Sequence, residues 1–328
     1  MGVIETKRPK VSVAIVTYNH EKFIARAIDS VLMQKTTFPF ELIVADDCST
    51  DATPSIIERF TQEYPDAVRI ILRASNVGVK QNGLDALEAC KGDYIALLDG
   101  DDYWIDEYKL QKEVDFLEAN PEYVLVGGNA LAINENEEHV RASLLFPNSI
   151  DSYDFSTVDL IQRNHLPTLT ALFRNRVVED FPLEYFTSSI GGDRIIYIVL
   201  SLHGKCRFLN QVFGAYRIHN GGVTDVYRNS ATGQIRRLED LFLFAEQLHS
   251  FLNGRFEQET MSARNKAASD IFAVALKSGR LITALRYARY LDHSVFQKRP
   301  VQVLAQLAKR VSRMLPLPVN NRSASKIR

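Results

Sequence analysis

Short apolar runs alternate with amphipathic segments over the first hundred or so residues of the chain. Four of these runs are nearly continuous in apolar residues and too short for helices, which is typical of strands buried on both faces of a sheet. Between them, apolar residues recur three and four positions apart, as in helices that pack one face on a sheet. This alternation predicts a parallel α/β sheet. The four predicted strands are Val11–Val16, Phe40–Ala45, Val68–Leu72 and Asp93–Leu98.

The remaining elements are less regular. The C-terminal part of the chain shows only helical patterns, with short breaks at Asn253-Gly254 and Ser278-Gly279. Thr53 is predicted to be a helix N-cap, with Pro54 in the first turn. Residues 139–167 show little periodicity. The other predicted elements are a helix over residues 108–118, strands over Tyr123–Ile133, Thr168–Arg174 and Arg207–Val212, a polar turn over Asn134–Glu138 and a buried helix over Ile195–Leu202.

Length and composition limit the organisation of the chain. Its 328 residues, 46% of them hydrophobic, are enough for one large domain or for one domain with an appendage. We expect an α/β domain over residues 1–230 and a helical extension over residues 231–328. The formal net charge of −1 gives no indication of nucleic-acid binding.

The C-terminal tail is strongly basic. Lys298–Arg328 holds eight of the 39 Lys and Arg residues and no Asp or Glu. Within Val301–Leu315, apolar residues fall on one helical face with Lys309, Arg310 and Arg313 between them. This pattern is typical of a helix that lies in a membrane interface, where anionic headgroups attract the basic residues. A helix that packs its apolar face on the α/β domain has the same pattern, and the sequence leaves both interpretations open.

Cysteine use and the N-terminus favour a cytoplasmic location. Cys48, Cys90 and Cys206 are far apart and odd in number, which indicates neither a disulfide framework nor a zinc site. The N-terminal segment MGVIETKRPK lacks the apolar core of a signal peptide. No run of 18 apolar residues is present to span a bilayer.

Acidic residues follow the fourth predicted strand at once. Asp99, Asp101 and Asp102 lie within four positions, at the sheet edge where open α/β sheets bind ligands. Carboxylates this close repel one another, and a shared cation would relieve the repulsion. The sequence therefore predicts a metal site here, although a solvated acidic turn has the same composition.

The second predicted strand also ends in carboxylates, Asp46 and Asp47. A carboxylate there can accept a hydrogen bond from an N–H group of a ligand, such as the imide N–H of a uracil or thymine ring. The alternative is a capped turn formed by these acids and Ser49. The sequence disfavours a Rossmann site and a P-loop site, because no G-x-G-x-x-G follows the first predicted strand and no P-loop motif is present. An EF-hand is excluded by its spacing.

Four segments together resemble a known family. Val11–Asn19, Leu42–Asp51, Asn76–Gly78 and Leu97–Trp104 have the order and spacing of motifs in the family 2 glycosyltransferases of GT-A fold. The resemblance covers about residues 10–222, and the combination is far more specific than an isolated D-x-D. It implies a Rossmann-like mixed sheet flanked by helices, with a C-terminal helical extension.

The resemblance also implies a reaction. Such an enzyme transfers a sugar from a nucleotide diphosphate sugar, here expected to be a UDP-sugar, to an acceptor hydroxyl with inversion at the anomeric carbon. The expected cofactor is Mn or Mg, and the expected acceptor is a glycan or a lipid-linked glycan. The expected role is the synthesis of cell-surface polysaccharide or oligosaccharide. The expected location is the cytoplasm, and if the basic tail binds membrane, the enzyme would lie on the inner face of the cytoplasmic membrane. Nucleic acid is not an expected partner.

Individual site residues are carried over from the family motifs. The family's base is an acid at the start of a helix, matched by Asp193 in the segment Ser189–Arg194; a plain N-cap is the alternative for this residue. The late Y-R-x-H motif is matched by Tyr216–His219. Residues 139–190 are expected to shape the acceptor side. The implied donor-binding residues are Thr17, Tyr18, Asp46, Asp47, Arg73, Asn76 and Asp101, and the implied metal ligands are Asp99, Asp101, Asp102 and His219.

Two other functions stay open at this point. A D-x-D phosphatase or phosphotransferase uses an aspartyl nucleophile, but such enzymes usually carry the motif on the first strand. The other function is a catalytically silent protein that binds sugar nucleotides. Such a protein would not need acids at the end of the second strand, after the fourth strand and at position 193. Hydrolysis of the donor would separate these classes, because they release different products.

Overall fold

A computed structural model describes residues 8–141, 151–175, 192–219, 222 and 230–291. The chain divides into two compact units, Met1–Asp225 and Val226–Arg328. The predicted tail helix Val301–Leu315 lies outside the described residues, as do the positions from Ser189 to Gly191 that precede Asp193.

The first unit is built on one mixed sheet. Its described strands follow the order β3-β2-β1-β4-β9-β6-β10-β5, with β7 paired to β6 and β8 paired to β10. The strands are β1 (Val11–Thr17), β2 (Phe40–Asp46), β3 (Val68–Leu72), β4 (Tyr94–Asp99), β5 (Tyr103–Trp104), β6 (Tyr123–Ile133), β7 (His139–Arg141), β8 (Tyr153–Phe155), β9 (Leu172–Arg174) and β10 (Lys205–Arg217).

The pairing register brings the carboxyl ends of three strands together. β1 lies between β2 and β4 and is parallel to both. Thr17 at the end of β1 is opposite Asp46, and Val16 is opposite Asp99. Beyond β4 the direction changes, because β9 is antiparallel to both β4 and β6. Acids that are 53 positions apart in sequence therefore reach the same edge of the sheet.

Helices flank this sheet because each has one apolar face. α1 buries Ile24, Ala27, Ile28 and Val31, which recur at helical spacing, in the same core as the inner residues of the strands. The described helices of the first unit are α1 (Ile24–Leu32), α2 (Thr53–Glu63), α3 (Val79–Glu88), α4 (Lys109–Ala119), α5 (Thr157–Gln162), a 3₁₀ helix (Thr168–Thr170) and α6 (Gly192–Ser201).

Most predicted elements are confirmed, and the differences have physical reasons. Thr53 is not the N-cap of α2: the helix begins at Thr53, after Ala52, and the Thr53 hydroxyl instead accepts the backbone N–H of His20 at 2.9 Å. The predicted strand Thr168–Arg174 begins as a 3₁₀ turn, and only its last three residues pair with neighbouring strands. The aperiodic segment 139–167 contributes β7, β8 and α5 to the fold.

The second unit is helical in its described part. Its core contains Ile235 and Phe242 from α7, Ile271 and Phe272 from α8, and Tyr287 from α9. The predicted breaks are confirmed, with Gly254 and Gly279 in the left-handed region that favours glycine. Within the described ranges, no helix has both the length and the apolar character that a membrane span requires. The helices are α7 (Ala231–Phe251), α8 (Glu257–Lys277) and α9 (Leu281–Ala288).

Candidate functional site

The acidic turn after β4 is packed against the end of β1. The backbone N–H of Gly100 donates to the carbonyl oxygen of Val16 at 2.9 Å. A side chain at position 100 would meet the Thr17 side chain at 2.7 Å, so this close approach requires glycine. Asp99, Asp101 and Asp102 are therefore fixed at the sheet edge predicted from the sequence.

Arg217 at the end of β10 holds the same turn from the other side. Its backbone N–H donates to Oδ1 of Asp102 at 2.8 Å, and its Nε donates to the carbonyl oxygen of Asp101 at 2.9 Å. Asp102 is buried, and its other oxygen, Oδ2, accepts no hydrogen bond from any residue that the structure describes. An unpaired buried carboxylate oxygen is costly, and a cation is one group that would compensate it.

Two histidines contact Asp101, the second acid of the turn. Nε2 of His219 lies 2.9 Å from Oδ2 of Asp101, and Nε2 of His20 lies 3.9 Å from the same oxygen. One ligand atom from each of the three side chains falls within 4.8 Å of the others. Imidazole nitrogens and carboxylate oxygens are common protein ligands of divalent metals. Among the described residues, this trio is the set with metal-ligating geometry.

The electrostatics of the turn reflect crowded negative charge. Burial, together with the charges of Asp101 and Asp193, raises the pKa of Asp99 to about 8. Burial also raises the pKa of Asp102 well above its usual value, with further contributions from Asp101 and Asp99. Burial acts in the same direction on Asp101, but the hydrogen bond from His219 and the nearby His20 outweigh it and lower the pKa of Asp101. The turn therefore concentrates carboxylates that a cation would stabilise in their charged form.

Asp47, at the end of β2, organises the loop that precedes α3. Its two carboxylate oxygens accept the backbone N–H groups of Val77 at 2.7 Å and Gly78 at 2.9 Å. The Asn76 side chain donates to the carbonyl oxygen of Asp47 at 3.0 Å. Gly78 has a φ of +87°, which favours glycine. Asp47 and Asn76, both predicted to bind the donor, are thus brought together.

The other predicted donor-binding residues are less uniform. Asp46 is buried and accepts from the backbone N–H of Ser49 at 2.9 Å and from its hydroxyl, the capped turn that was the alternative interpretation. Arg73 forms an ion pair with Asp85 on α3. Tyr18 is 43% exposed beside buried Thr17, so its ring is available for stacking.

Asp193 lies in the first turn of α6. It is inside the helix and not in the flanking N-cap position, because α6 begins at Gly192. Its Oδ2 accepts from the side-chain amide of Asn164 at 2.7 Å and from the hydroxyl of Thr168 at 3.0 Å. Its charge contributes to the raised pKa of Asp99 in the acidic turn.

The comparison with known proteins identifies the family. The profile of Glycosyl transferase family 2 matches residues 12–181. The chain belongs to this family. An uncharacterised protein of Mycobacterium tuberculosis is 35% identical over 213 residues, which cover 65% of this chain but 60% of that protein. The succinoglycan biosynthesis protein ExoO of Rhizobium meliloti is 26% identical over 321 residues, 94% of this chain and 89% of that protein.

Solved glycosyltransferase structures confirm the predicted GT-A fold. TarS of S. aureus in complex with UDP-GlcNAc has a TM-score of 0.56 at 18% identity, covering 93% of this chain and 92% of that one. The mannosyltransferase PcManGT of Pyrobaculum calidifontis, in complex with GDP-Man and Mn²⁺, has a TM-score of 0.52 at 19% identity, covering 94% and 88%. At this identity the likeness concerns the fold.

In this member of the family, the site contains three polar residues to which the sequence assigned no individual role. His20 lies three residues after Thr17, the last residue of β1, and a histidine near a strand end was the available signal. Asn164 and Thr168 lie in a segment without periodicity, and their contact with Asp193 depends on how that segment folds. No local pattern could have found them.

Proposed function

We propose that this glycosyltransferase moves a sugar from a nucleotide diphosphate sugar, such as a UDP-sugar, to an acceptor hydroxyl with inversion. The acceptor would be a glycan or a lipid-linked glycan in cell-surface polysaccharide or oligosaccharide synthesis. The observation that carries this proposal is the meeting of Asp101, His219 and His20 at a turn whose Asp99 is influenced by the charge of Asp193. The charge of a candidate base thus acts on the turn that carries the candidate metal site.

The residues of the acidic turn fit a divalent metal. Asp101 with His20 and His219 offers one carboxylate and two imidazoles, and Asp102 has a buried oxygen without a hydrogen bond among the described residues. We therefore assign Asp101, His219 and His20 as the metal ligands. Asp99 and Asp102, which belong to the same turn, would lie beside the metal. When bound, Mn²⁺ or Mg²⁺ would neutralise the negative charge that grows on the departing diphosphate.

The end of β2 would bind the nucleotide. Asp47 fixes the loop at Val77 and Gly78, and each of its oxygens retains a second lone pair that can accept from a base N–H. Tyr18 would face the base, and Thr17, Asp46, Arg73 and Asn76 would support the walls of this pocket. The binding of UDP-GlcNAc by TarS and of GDP-Man by PcManGT supports a nucleotide sugar as the donor.

The transfer itself needs one proton acceptor. The acceptor oxygen forms a bond to the anomeric carbon while the bond from that carbon to the diphosphate oxygen breaks. The bonding electron pair leaves with the nucleotide diphosphate, and Asp193 takes the acceptor's hydroxyl proton. Attack from the face opposite the leaving group inverts the anomeric centre.

Hydrolysis of nucleotide sugars tests this function. The wild-type protein would be incubated with UDP-GlcNAc, UDP-glucose, UDP-galactose and GDP-mannose, each with MnCl₂ or MgCl₂. We expect slow, metal-dependent release of free sugar and nucleotide diphosphate from at least one donor. Release of inorganic phosphate would favour the phosphatase, and binding without any turnover would favour the silent sugar-nucleotide-binding protein.

Asp47→Asn is expected to weaken nucleotide binding about tenfold, because an amide group would replace one of the oxygens that accept from Val77 and Gly78. Isothermal titration with UDP or GDP and Mn²⁺ measures this. Asp51→Asn is the matched control. Asp51 also follows β2 and accepts two backbone N–H groups, those of Glu21 and Thr53, but no ligand is proposed for it. Equal loss in both variants would assign the effect to the loop and not to Asp47.

The basic tail supports a peripheral membrane location, on the inner face of the cytoplasmic membrane. Several Lys and Arg residues near an anionic surface contribute about 1 kcal/mol each. We expect the full-length protein to float with phosphatidylserine vesicles and a chain truncated before Lys298 to stay in the bottom fraction of the gradient. Equal flotation of both, or of neither, would contradict this location.

A further inference from the structure

Two hydrogen bonds converge on one oxygen of Asp193. The side-chain amide of Asn164 and the hydroxyl of Thr168 both donate to Oδ2, at 2.7 and 3.0 Å. The other oxygen, Oδ1, accepts no hydrogen bond from any of the residues described. Among the described residues, the carboxylate is therefore held through one of its two oxygens.

The segment that carries both donors is itself tied to the sheet at several points. The ring of His165 stacks on Phe155, with centroids 5.2 Å apart, and its Nδ1 lies 3.1 Å from the hydroxyl of Tyr153. The hydroxyl of Thr170 donates to the carbonyl oxygen of Gly128 at 3.0 Å. His165 directly follows Asn164, and Thr170 lies two residues after Thr168, so both donors are held by contacts that do not involve Asp193.

The helix that carries Asp193 is fixed against the same region. The guanidinium of the neighbouring Arg194 donates to the carbonyl oxygens of Leu160 and Ile161 in α5. Carbonyls in the last turn of a helix lack partners within the helix, and an arginine can satisfy them. α5 leads directly into the segment with Asn164, so the acid and its donors are attached to a common support.

One further contact joins this support to the acidic turn. Trp104 lies two residues after Asp102, and its ring N–H donates to the carbonyl oxygen of Leu169 at 2.7 Å. Leu169 directly follows Thr168 in the chain. A continuous set of contacts therefore links the proposed metal site to the groups that hold Asp193.

We propose that Asn164 and Thr168 are positioning residues that hold Asp193 by Oδ2 and so present Oδ1 to the acceptor hydroxyl. This inference rests on the proposed role of Asp193 as the base. A proton acceptor must be aligned with the attacking oxygen, and a displacement of about 1 Å can cost about 100-fold in rate. Neither positioning residue needs to touch the substrate.

The test compares three variants with the wild type. Thr168→Val keeps the shape of the side chain but removes the hydroxyl that donates to Asp193, whereas Thr168→Ser keeps this hydroxyl. Asn164→Asp keeps the oxygen that accepts from the Leu166 N–H, but an ionised carboxylate cannot donate to Asp193. The readout is hydrolysis of the donor that the wild-type protein turns over fastest among UDP-GlcNAc, UDP-glucose, UDP-galactose and GDP-mannose, with Mn²⁺. We expect Thr168→Val and Asn164→Asp to lower kcat about 10- to 100-fold with KM unchanged. Thr168→Ser should keep most of the activity.

Thr157→Val is the matched control. The Thr157 hydroxyl also joins α5 to α6, through Ser201 at 2.9 Å, but at the opposite end of α6 from Asp193. We expect this variant to retain the wild-type kcat. Loss of kcat in Thr157→Val equal to that in Thr168→Val would overturn the inference, because it would show a general effect of helix packing.

Two outcomes separate this inference from the proposed function. If Asp193→Asn is inactive while Thr168→Val and Asn164→Asp keep the wild-type kcat, the base stands and the positioning role is wrong. If Asp193→Asn is fully active, the base assignment fails and the inference fails with it.

Crystal structures give a readout without substrate: Asp193 should hold one side-chain conformation in the wild type and lose it in the Thr168→Val, Asn164→Asp double variant. An unchanged conformation there would contradict the inference.

Discussion

Asp101→Ala is expected to lower turnover by about 1,000-fold or more while the protein remains folded. The carboxylate of Asp101 forms the candidate metal site together with the imidazoles of His20 and His219. The substitution would remove the only negatively charged group of this trio. Charge stabilisation by a metal ion is worth several kcal/mol in the transition state, and each 1.36 kcal/mol corresponds to a factor of ten. The measurement is donor hydrolysis with saturating Mn²⁺, together with Mn²⁺ binding by isothermal titration.

Controls separate metal loss from general damage. Asp115→Ala removes an exposed acid from α4, which contacts Gln111 on the same helix, and should leave hydrolysis and Mn²⁺ binding unchanged. The wild-type protein in excess EDTA should lose activity and recover it when Mn²⁺ or Mg²⁺ is added. Full activity in the presence of excess chelator would disprove the metal requirement.

The sequence predicts the first half of the sheet well because its signals are local. Buried parallel strands such as Tyr94–Asp99 are continuous apolar runs, and each predicted run became a strand. Parallel pairing then requires that their carboxyl ends share an edge. The placement of Asp46 beside Thr17 and of Asp99 beside Val16 follows from that register.

The second half depends on contacts between distant parts of the chain. β5 has two residues and exists because Tyr103 and Trp104 pair with Ala215 and Gly214 more than 100 positions away. A two-residue strand has no periodicity to detect. The last strand, predicted as Arg207–Val212, extends to Arg217 because β6 pairs with it along most of its length.

The site residues also differ in whether their contacts are local or distant in sequence. The acids of the turn lie beside one another in sequence, so their crowding is visible there. His20 approaches Asp101 from 81 positions earlier, through the end of β1, and the donors of Asp193 come from 25 and 29 positions earlier. Contacts of this kind are set by tertiary packing, and a single sequence carries no local signal for them.

Asp193→Asn is expected to lower turnover at least about 100-fold, the lower end for the loss of a general base, without weakening donor binding. Asparagine has nearly the same shape, and its amide oxygen can take the place of Oδ2 and accept from Asn164 and Thr168. Its NH₂ group would then replace Oδ1, and an amide NH₂ cannot take a proton from an acceptor hydroxyl.

The expected separation between stability and turnover distinguishes a base from a structural acid. Because both hydrogen bonds on Oδ2 can be kept, the melting temperature of Asp193→Asn should stay close to that of the wild type, and titration with UDP or GDP and Mn²⁺ should give the same affinity. A structural acid would show the opposite pattern. If Asp193→Asn unfolded the protein and its remaining folded fraction kept full activity, Asp193 would serve only to hold Asn164 and Thr168 in place, and the proton would have to leave by another group.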